Sequence, residues 1–497
     1  MHATLKIERL QELPPSYRRV ATAAVSGSLT DLWKFIEFIA AKPYHRPDLV
    51  VPALLANLQP ARIPDPDHLA EMAPDRNSPM RRAVIALCEL VMRNHIEKLP
   101  LAAYADVWGL IWPWFHFMDT YRESLEQFDL LNEIYPILVS AISCLGFDVA
   151  TLALINTTPG VRVLIVRAWS MFLQESELSS VHGFVRLCCV PLDLDAPNAT
   201  QLEELCEGAG GTLTDLAMLA VKHLQCVLRP EFPAFGKTEM FLHGVLTLLH
   251  NADQGVNPFG AELVAQGIMT VYTAILCSIG GDTGAELALL AYRCFIHLLH
   301  HIAACSGHLW MIEVLDAGLL RAIALHSTIR NQNKEMIKGL QTLLRHVLPG
   351  CMVYRSVLLR MNDAFIVAKE LAGTDDFLAS EIFADWENIC ELVESRLEML
   401  EEYEQGNYSS NVACDNLEAC YYYPLFRRSI LISNQCPQIL PKRDFRRCSG
   451  CQQSYYCSHD CQKVDWQHGG HKEDCQRLRD LRIRTSSSVH GYQGVQE

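Results

Sequence analysis

Cys448-Ser-Gly-Cys451-Gln-Gln-Ser-Tyr-Tyr456-Cys457-Ser-His-Asp-Cys461, followed shortly by Gly470-His471-Lys-Glu-Asp-Cys475, is the stretch from which the rest of this chain can be understood. Upstream of it, Cys414-x5-Cys420 adds another pair, so seven cysteines and one histidine stand at metal-ligand spacing. Thiolates two or three residues apart on a tight turn can share one tetrahedral Zn²⁺ at about 2.3 Å, and eight ligands suffice for two closed structural sites. The bland alternative is a disulfide scaffold. Such scaffolds are short secreted chains, whereas Met1-His-Ala-Thr-Leu-Lys-Ile-Glu8 is polar and charged and reads as no signal peptide. The eleven cysteines upstream of Cys414, Cys88, Cys226 and Cys390 among them, are mostly scattered singly through apolar stretches and read as small core residues in a reducing compartment.

The residues between the ligands carry a resemblance. Cys448-x2-Cys451-x5-Cys457-x3-Cys461, with Gln462, Trp466 and the ending His471-Lys-Glu-Asp-Cys475, closely resembles the MYND-type zinc finger, over about the last sixth of the chain. The resemblance implies a cross-brace in which Cys414, Cys420, Cys457 and Cys461 hold one zinc and Cys448, Cys451, His471 and Cys475 hold the other. The chain departs from the family in its first pair, normally Cys-x2-Cys, and in the 27 residues between Cys420 and Cys448. Cys436, inside that insert, and His468, three residues before His471, stand as alternative ligands. Fingers of this family mostly bind proteins, some of them short proline-containing peptides that add as a strand beside the hairpin. The positions matching that role are Ser449, Gln462 and Trp466: an indole offers a flat apolar face to a proline ring, and a glutamine anchors peptide backbone.

Outward from the finger, the composition changes. Residues 1–413 carry a net charge of −18 and residues 414–497 a net of +3, within a chain of 497 residues that is 50% hydrophobic. An apolar-periodic pattern recurs at 31–41, 80–94, 133–145, 161–174, 213–228, 240–250, 285–305 and 334–347, while strand-like alternation is almost absent. Loops rich in Pro, Asp and Gly separate these stretches at 60–79, 191–211 and 280–284. The fold expected is all-α, an irregular armadillo- or HEAT-like helical array or a compact multi-helix domain, with the small two-zinc finger at its C-terminal end. A last helix is expected from Phe377 to Tyr403, with Leu378, Ile382, Trp386, Ile389, Val393 and Leu397 along one stripe. The domains follow: a helical region at 1–403, a linker at 404–413, the finger at 414–475 and a basic tail at 476–497.

Other function classes fare less well. Residues 263–281 lack charge, but Gln266, Thr270, Thr273 and Ser278 dilute them and Gly267 interrupts them, so they read as a buried core helix rather than a membrane span. Gly236-Lys237-Thr238 imitates the end of a phosphate loop without its first glycine. His297 and His301, one helical turn apart, sit in an apolar stretch and read as histidines on a packed helix. A lysine methyltransferase, the enzymatic rival that some MYND proteins suggest, needs an Asn-His-x-Cys cofactor segment and a large portion beyond the finger. Here Asn94-His95 continues Ile-Glu, and 22 residues follow Cys475.

A zinc with four protein ligands has no open position for substrate, so the metals build structure and no catalytic activity is expected. The function expected is a zinc-binding interaction adaptor whose finger recognises short peptide segments of protein partners, inside the cell, in cytoplasm, nucleus or both, and not secreted. The competing expectation is a nucleic-acid-associated transcriptional regulator using Lys442, Arg443, Arg446 and Arg447 before Cys448 and Arg477, Arg479, Arg482 and Arg484 after Cys475. The acidic body, which would repel a polyanion, argues against it.

Overall fold

Where the sequence sets apolar residues three and four apart between capping and breaking residues, the chain is helical. The computed structural model describes residues 1–26, 28–41, 47–69, 78–125, 131–174, 199–228, 246, 258–280, 285–304, 309–328, 334–405, 411–414, 439–441, 444–452, 454–476 and 479. It is an all-α protein with a small finger at its C-terminal end. By contacts the chain divides into two units, Met1–Glu262 and Leu263–Glu497.

The first unit holds α1 (Pro15–Ser26), α2 (Leu29–Ala41), α3 (Val51–Leu55), α4 (Pro79–Met92), α5 (Tyr104–Thr120), α6 (Leu131–Leu145), α7 (Val149–Thr157), α8 (Val161–Gln174), α9 (Ala199–Ala209) and α10 (Leu213–Val227). Local chemistry sets their starts. Ser78 caps α4 by accepting the Arg81 N–H at 3.4 Å, and Asp148 caps α7 through the Thr151 N–H at 2.9 Å. Thr212 and Asp215 form a reciprocal capping box at the start of α10. The carbonyl end of α1 is closed from another helix: Arg82 of α4 donates to Ala24 O at 3.0 Å and to Asn57 Oδ1 at 2.6 Å. Between α8 and α9 the backbones approach so closely that only glycine fits at 208, where a Cβ would lie 2.6 Å from Val163 O.

After α11 (Pro258–Ala265), the second unit continues with α12 (Ile268–Ser278), α13 (Ala285–Ala304), α14 (Leu309–Asp316), α15 (Leu319–Ser327), α16 (Lys334–Thr342), α17 (Arg355–Ala372) and α18 (Phe383–Glu404). The expected helix at 263–281 is two helices: α11 ends at Ala265, Gly267 takes φ 80°, and α12 begins at Ile268. Ile268, Val271, Tyr272 and Ile275 are buried, and among the described residues no single helix is long and apolar enough to cross a membrane. The stretch 334–347 passes from α16 into a π-helical turn, Leu343–Val347. The stretch 240–250 lies, except for Leu246, outside the described residues.

The helix expected from Phe377 to Tyr403 is also broken. A one-turn helix, Asp375–Leu378, stops, and α18 starts at Phe383. The break lets Phe377 fold back edge-on against Trp386, with ring centroids 5.2 Å apart, and turns Leu378 outward to 46% exposure. Asp385 of α18 is buried and accepts from Arg345 Nε at 2.6 Å.

The strands among the described residues all belong to the finger. β1 (Asn411–Ala413) pairs antiparallel with β2 (Ile439–Pro441), Ala413 opposite Ile439. β3 (Arg446–Arg447) pairs antiparallel with β4 (Tyr455–Tyr456), and α19 (His459–Gln467) follows.

Candidate metal centre

The β3–β4 hairpin and the chain leaving α19 build one set of four donors. In the turn between the strands, Gln452 donates its N–H to Cys448 O at 2.9 Å and takes φ 57°, while Cys448 N–H reaches Ser454 O at 3.0 Å. This knuckle turns the sulfurs of Cys448 and Cys451 inward. On the other side α19 ends at Gln467, Gly470 takes φ 82°, and the reversed chain carries His471 and Cys475 back to the knuckle. The four donor atoms lie within 4.8 Å of one another and all four residues are buried. Cys448 Sγ stands 3.8 Å from Cys475 Sγ, and Cys451 Sγ 3.7 Å from His471 Nε2. A tetrahedral zinc with bonds of about 2.3 Å to sulfur sets neighbouring sulfurs about 3.8 Å apart, so the donor set fits zinc in type, number and spacing. Gly450 belongs to this fit, because a Cβ there would lie 2.8 Å from Cys475 Sγ.

The shell around these donors is equally specific. A zinc held through Nε2 of His471, the nitrogen turned to the sulfurs, would leave the proton on Nδ1, which faces the buried Ser454 Oγ at 3.4 Å. Tyr456, fully buried, donates its hydroxyl to the buried Asp465 at 2.6 Å, tying β4 to α19. Burial, with the Asp465 carboxylate next, raises the Tyr456 hydroxyl far above the usual phenol range, so it stays a donor. Without a cation, burial and the neighbouring Cys448 push the Cys475 thiol up to about 11. A divalent ion bound here would hold these sulfurs as thiolates.

A second group joins Cys414, which follows β1, with Cys457 and Cys461. Cys457 and Cys461 bring their sulfurs to 3.4 Å, and the Cys457 N–H points at Cys414 Sγ at 3.4 Å. Ser458 caps α19 by accepting the Cys461 N–H at 3.1 Å. Cys420 and Cys436 lie outside the described residues, and His468 is exposed and outside both groups.

The residues expected to touch a peptide lie at the surface of this centre. Ser449 is exposed in the knuckle, and Gln462 is half-buried one turn before Trp466 on the same face of α19. Trp466 is 41% exposed, with its ring 5.9 Å from that of His471, while Tyr456 approaches His471 edge-on at 5.8 Å. The indole therefore covers the outer side of the metal core and remains open to solvent.

The histidines of α13 do something else. His297 and His301 are buried with their rings nearly parallel to that of Tyr272, 5.8 and 6.4 Å away, and among the described residues they join no group of three metal-capable side chains. Gly236, Lys237 and Thr238 lie outside the described residues. Sequence reasoning missed Ser454 and Asp465, since neither lies at ligand spacing. Their only signal is local: Ser454 sits three residues beyond Cys451, and Asp465 one before Trp466.

Residues 434–475 match the family model of the MYND finger. This is a zinc-binding module that commonly mediates protein–protein interaction, and the C-terminal part of the chain is such a finger. The N-terminal region matches no family, and no curated protein matches the chain.

Proposed function

We propose that the protein is an interaction adaptor without catalytic activity, whose finger, ordered by two structural zinc ions, grips a short extended and proline-containing peptide across Trp466. The observation that carries this reading is the position of that indole, braced against a metal-ligating histidine on one side and 41% exposed on the other. Gln462 on the same helix face offers an amide to the peptide backbone, and Ser449 offers a hydroxyl from the knuckle. Among the described residues, exposed Arg446, Arg447, Lys463, Lys472 and Arg479 stand beside exposed Asp444, Asp460 and Glu473, while Lys442, Arg443, Arg477, Arg482 and Arg484 lie outside the described residues. The net charge of −18 on residues 1–413 weighs against a polyanion. Arg447 is further engaged with the Tyr455 ring at 4.9 Å. Closed metal sites leave no vacant coordination position for chemistry. The free cysteines among the described residues suit a reducing intracellular compartment, cytoplasmic or nuclear.

The test is a comparison of the zinc-loaded protein with a Trp466→Ala, Gln462→Ala variant on an array of proline-containing peptides, and in pull-downs read by mass spectrometry. The expected result is loss of a defined peptide set from the variant, with zinc content unchanged. Unchanged partners move the activity to the helical region, and a salt-dependent shift with DNA or RNA favours the nucleic-acid reading.

The count of two ions needs a fourth ligand beside Cys414, Cys457 and Cys461, and Cys420, or Cys436 in its place, would supply it. We expect the Cys420→Ser variant to fall from two zinc equivalents to about one by elemental analysis, and Cys436→Ser to keep both; the reverse result assigns the ligand to Cys436.

A further inference from the structure

The two groups of donors in the finger are not equally protected. Cys448, Cys451, His471 and Cys475 are all buried, whereas Cys457 of the second group is only half-buried, beside the buried Cys414 and Cys461. The sulfurs differ as well. Cys457 Sγ and Cys461 Sγ lie 3.4 Å apart, closer than the 3.8 Å between Cys448 and Cys475. The described donors of the second group are all sulfur, while the first includes the imidazole of His471.

Side chains four residues apart on a regular helix stand about 5–6 Å from Cβ to Cβ, too far for a disulfide, which needs about 3.8 Å. Cys457 and Cys461 escape that restriction because α19 starts at His459. Cys457 precedes the cap residue Ser458, which is extended at φ −148° and ψ 164°, and Cys461 lies in the first turn. Closing the 3.4 Å gap to an S–S bond of about 2.05 Å therefore calls for adjustment at Cys457, outside the helix, and not for unwinding of α19. Half-buried thiols elsewhere are poorer targets. Burial pushes those of Cys351 and Cys390 up to about 11, which keeps them protonated, whereas sulfurs that hold zinc are thiolates, the reactive form.

We propose that Cys457 and Cys461 are a reversible oxidation site for a peroxide: they close into a disulfide and their group releases its ion, while the four-donor group keeps its own. This rests on the reading that the second group holds zinc. The Cys457 thiolate attacks one peroxide oxygen, the O–O bond breaks, one hydroxide leaves and the sulfur becomes a sulfenic acid. The Cys461 thiolate then attacks that sulfur, forming the S–S bond and expelling a second hydroxide, so two electrons have passed from the two sulfurs to the peroxide. The group is left with two thiolates too few for a closed tetrahedral site and loses its ion. Cys414, which follows β1 and accepts the Cys457 N–H at 3.4 Å, is then no longer tied to the end of β4 through a shared metal. The Tyr456–Asp465 hydrogen bond still joins β4 to α19, and the knuckle keeps its four donors. A thiol reductant reopens the bridge by exchange, as suits a transient disulfide in a reducing compartment.

The probe is hydrogen peroxide, added in small excess to the full-length zinc-loaded protein once its metal content has been measured. Zinc release is followed with a chromogenic chelator, and disulfides are mapped by alkylation and mass spectrometry. One equivalent is expected to leave roughly tenfold faster than the other, with a bridge between Cys457 and Cys461, and to return on addition of dithiothreitol and zinc. Hydrogen exchange should rise at β1 and β2 and hold at the knuckle. Cys457→His, which keeps a donor at that position and removes the sulfur, is expected to hold two equivalents and release neither at the same dose. A single equivalent before peroxide overturns the two-ion reading and this proposal with it. Two equivalents that leave together, or not at all, overturn the proposal alone. So do a bridge involving Cys448, Cys451 or Cys475, sulfinic acid at Cys457 without a bridge, and release undiminished in Cys457→His.

Discussion

Removing zinc from the intact protein with a strong chelator is expected to unfold residues 411–476 while the far-UV helical signal stays nearly constant. The finger's buried cluster consists of Cys414, Cys448, Cys451, Cys461 and Cys475 with three aromatic residues, Phe445, Tyr455 and Tyr456. Most of that core is cysteines of the two candidate metal groups, so little apolar surface remains to hold the segment once the ion leaves. Zinc contributes on the order of 10–16 kcal/mol to folds of this kind, more than so small a segment recovers from burial. The Tyr456–Asp465 and Ser454–His471 hydrogen bonds depend on the same placement and go with it. Hydrogen exchange is the measurement: amides of α19 and the knuckle lose protection in the chelator, and those of α8 and α13 keep theirs. Protection surviving in α19 after complete metal removal would show that the aromatic residues alone hold the finger. Lowering the pH acts in the same direction, since zinc must displace a proton from each thiol, and affinity falls as protons compete.

The knuckle at Cys448 and Cys451 was legible because its spacing is local: two residues between thiols permit little besides a shared ion or a turn. His471 and Cys475 were legible for the same reason. Their partnership with the knuckle rather than with Cys457 and Cys461 is tertiary, and it came from the resemblance, not from the spacing. The helices show the same division. Val161–Gln174 was readable end to end, and Leu213–Val227 carries its capping box openly in Thr212 and Asp215. The break before α18 was hidden, because the apolar steps run on through Phe377, Ile382 and Trp386 whether the chain continues straight or folds back. Tyr104–Thr120 did not stand out, for Pro113 interrupts a stretch that tertiary packing keeps helical. Periodicity also says only that a helix has an apolar face. Whether a neighbour covers it, as at Leu87, or leaves it open, as at Met92, depends on packing that lies outside the pattern.

Two glycine-to-alanine changes in helices of the same unit are expected to act with opposite sign, and the valine form of one of them should have the largest effect on that unit. In an open helical position alanine is favoured over glycine by about 1 kcal/mol, because glycine loses more backbone freedom on folding. Gly109 in α5 meets that condition, with no atom within 4 Å of a Cβ built there, so Gly109→Ala should stabilise the unit. Gly208 in α9 does not. A Cβ there would lie 2.6 Å from Val163 O, 2.7 Å from Val166 Cβ and 3.2 Å from Val163 Cα. Two of those three atoms are backbone of α8 and cannot rotate aside, so α8 and α9 must separate. The separation also disturbs Arg162 and Glu204, which face each other across the two helices at 3.8 Å. Overpacking of this kind costs about 1–3 kcal/mol for a methyl group and more for a branched side chain, exceeding the helical preference that favours alanine. Gly208→Val should therefore lower the melting temperature of this unit by roughly 6–12 °C, at about 2–4 °C per kcal/mol for a unit of this size. Scanning calorimetry of the three variants decides it. A Gly208→Ala protein as stable as Gly109→Ala would mean that α8 and α9 are not held as closely as Val163 and Gly208 place them.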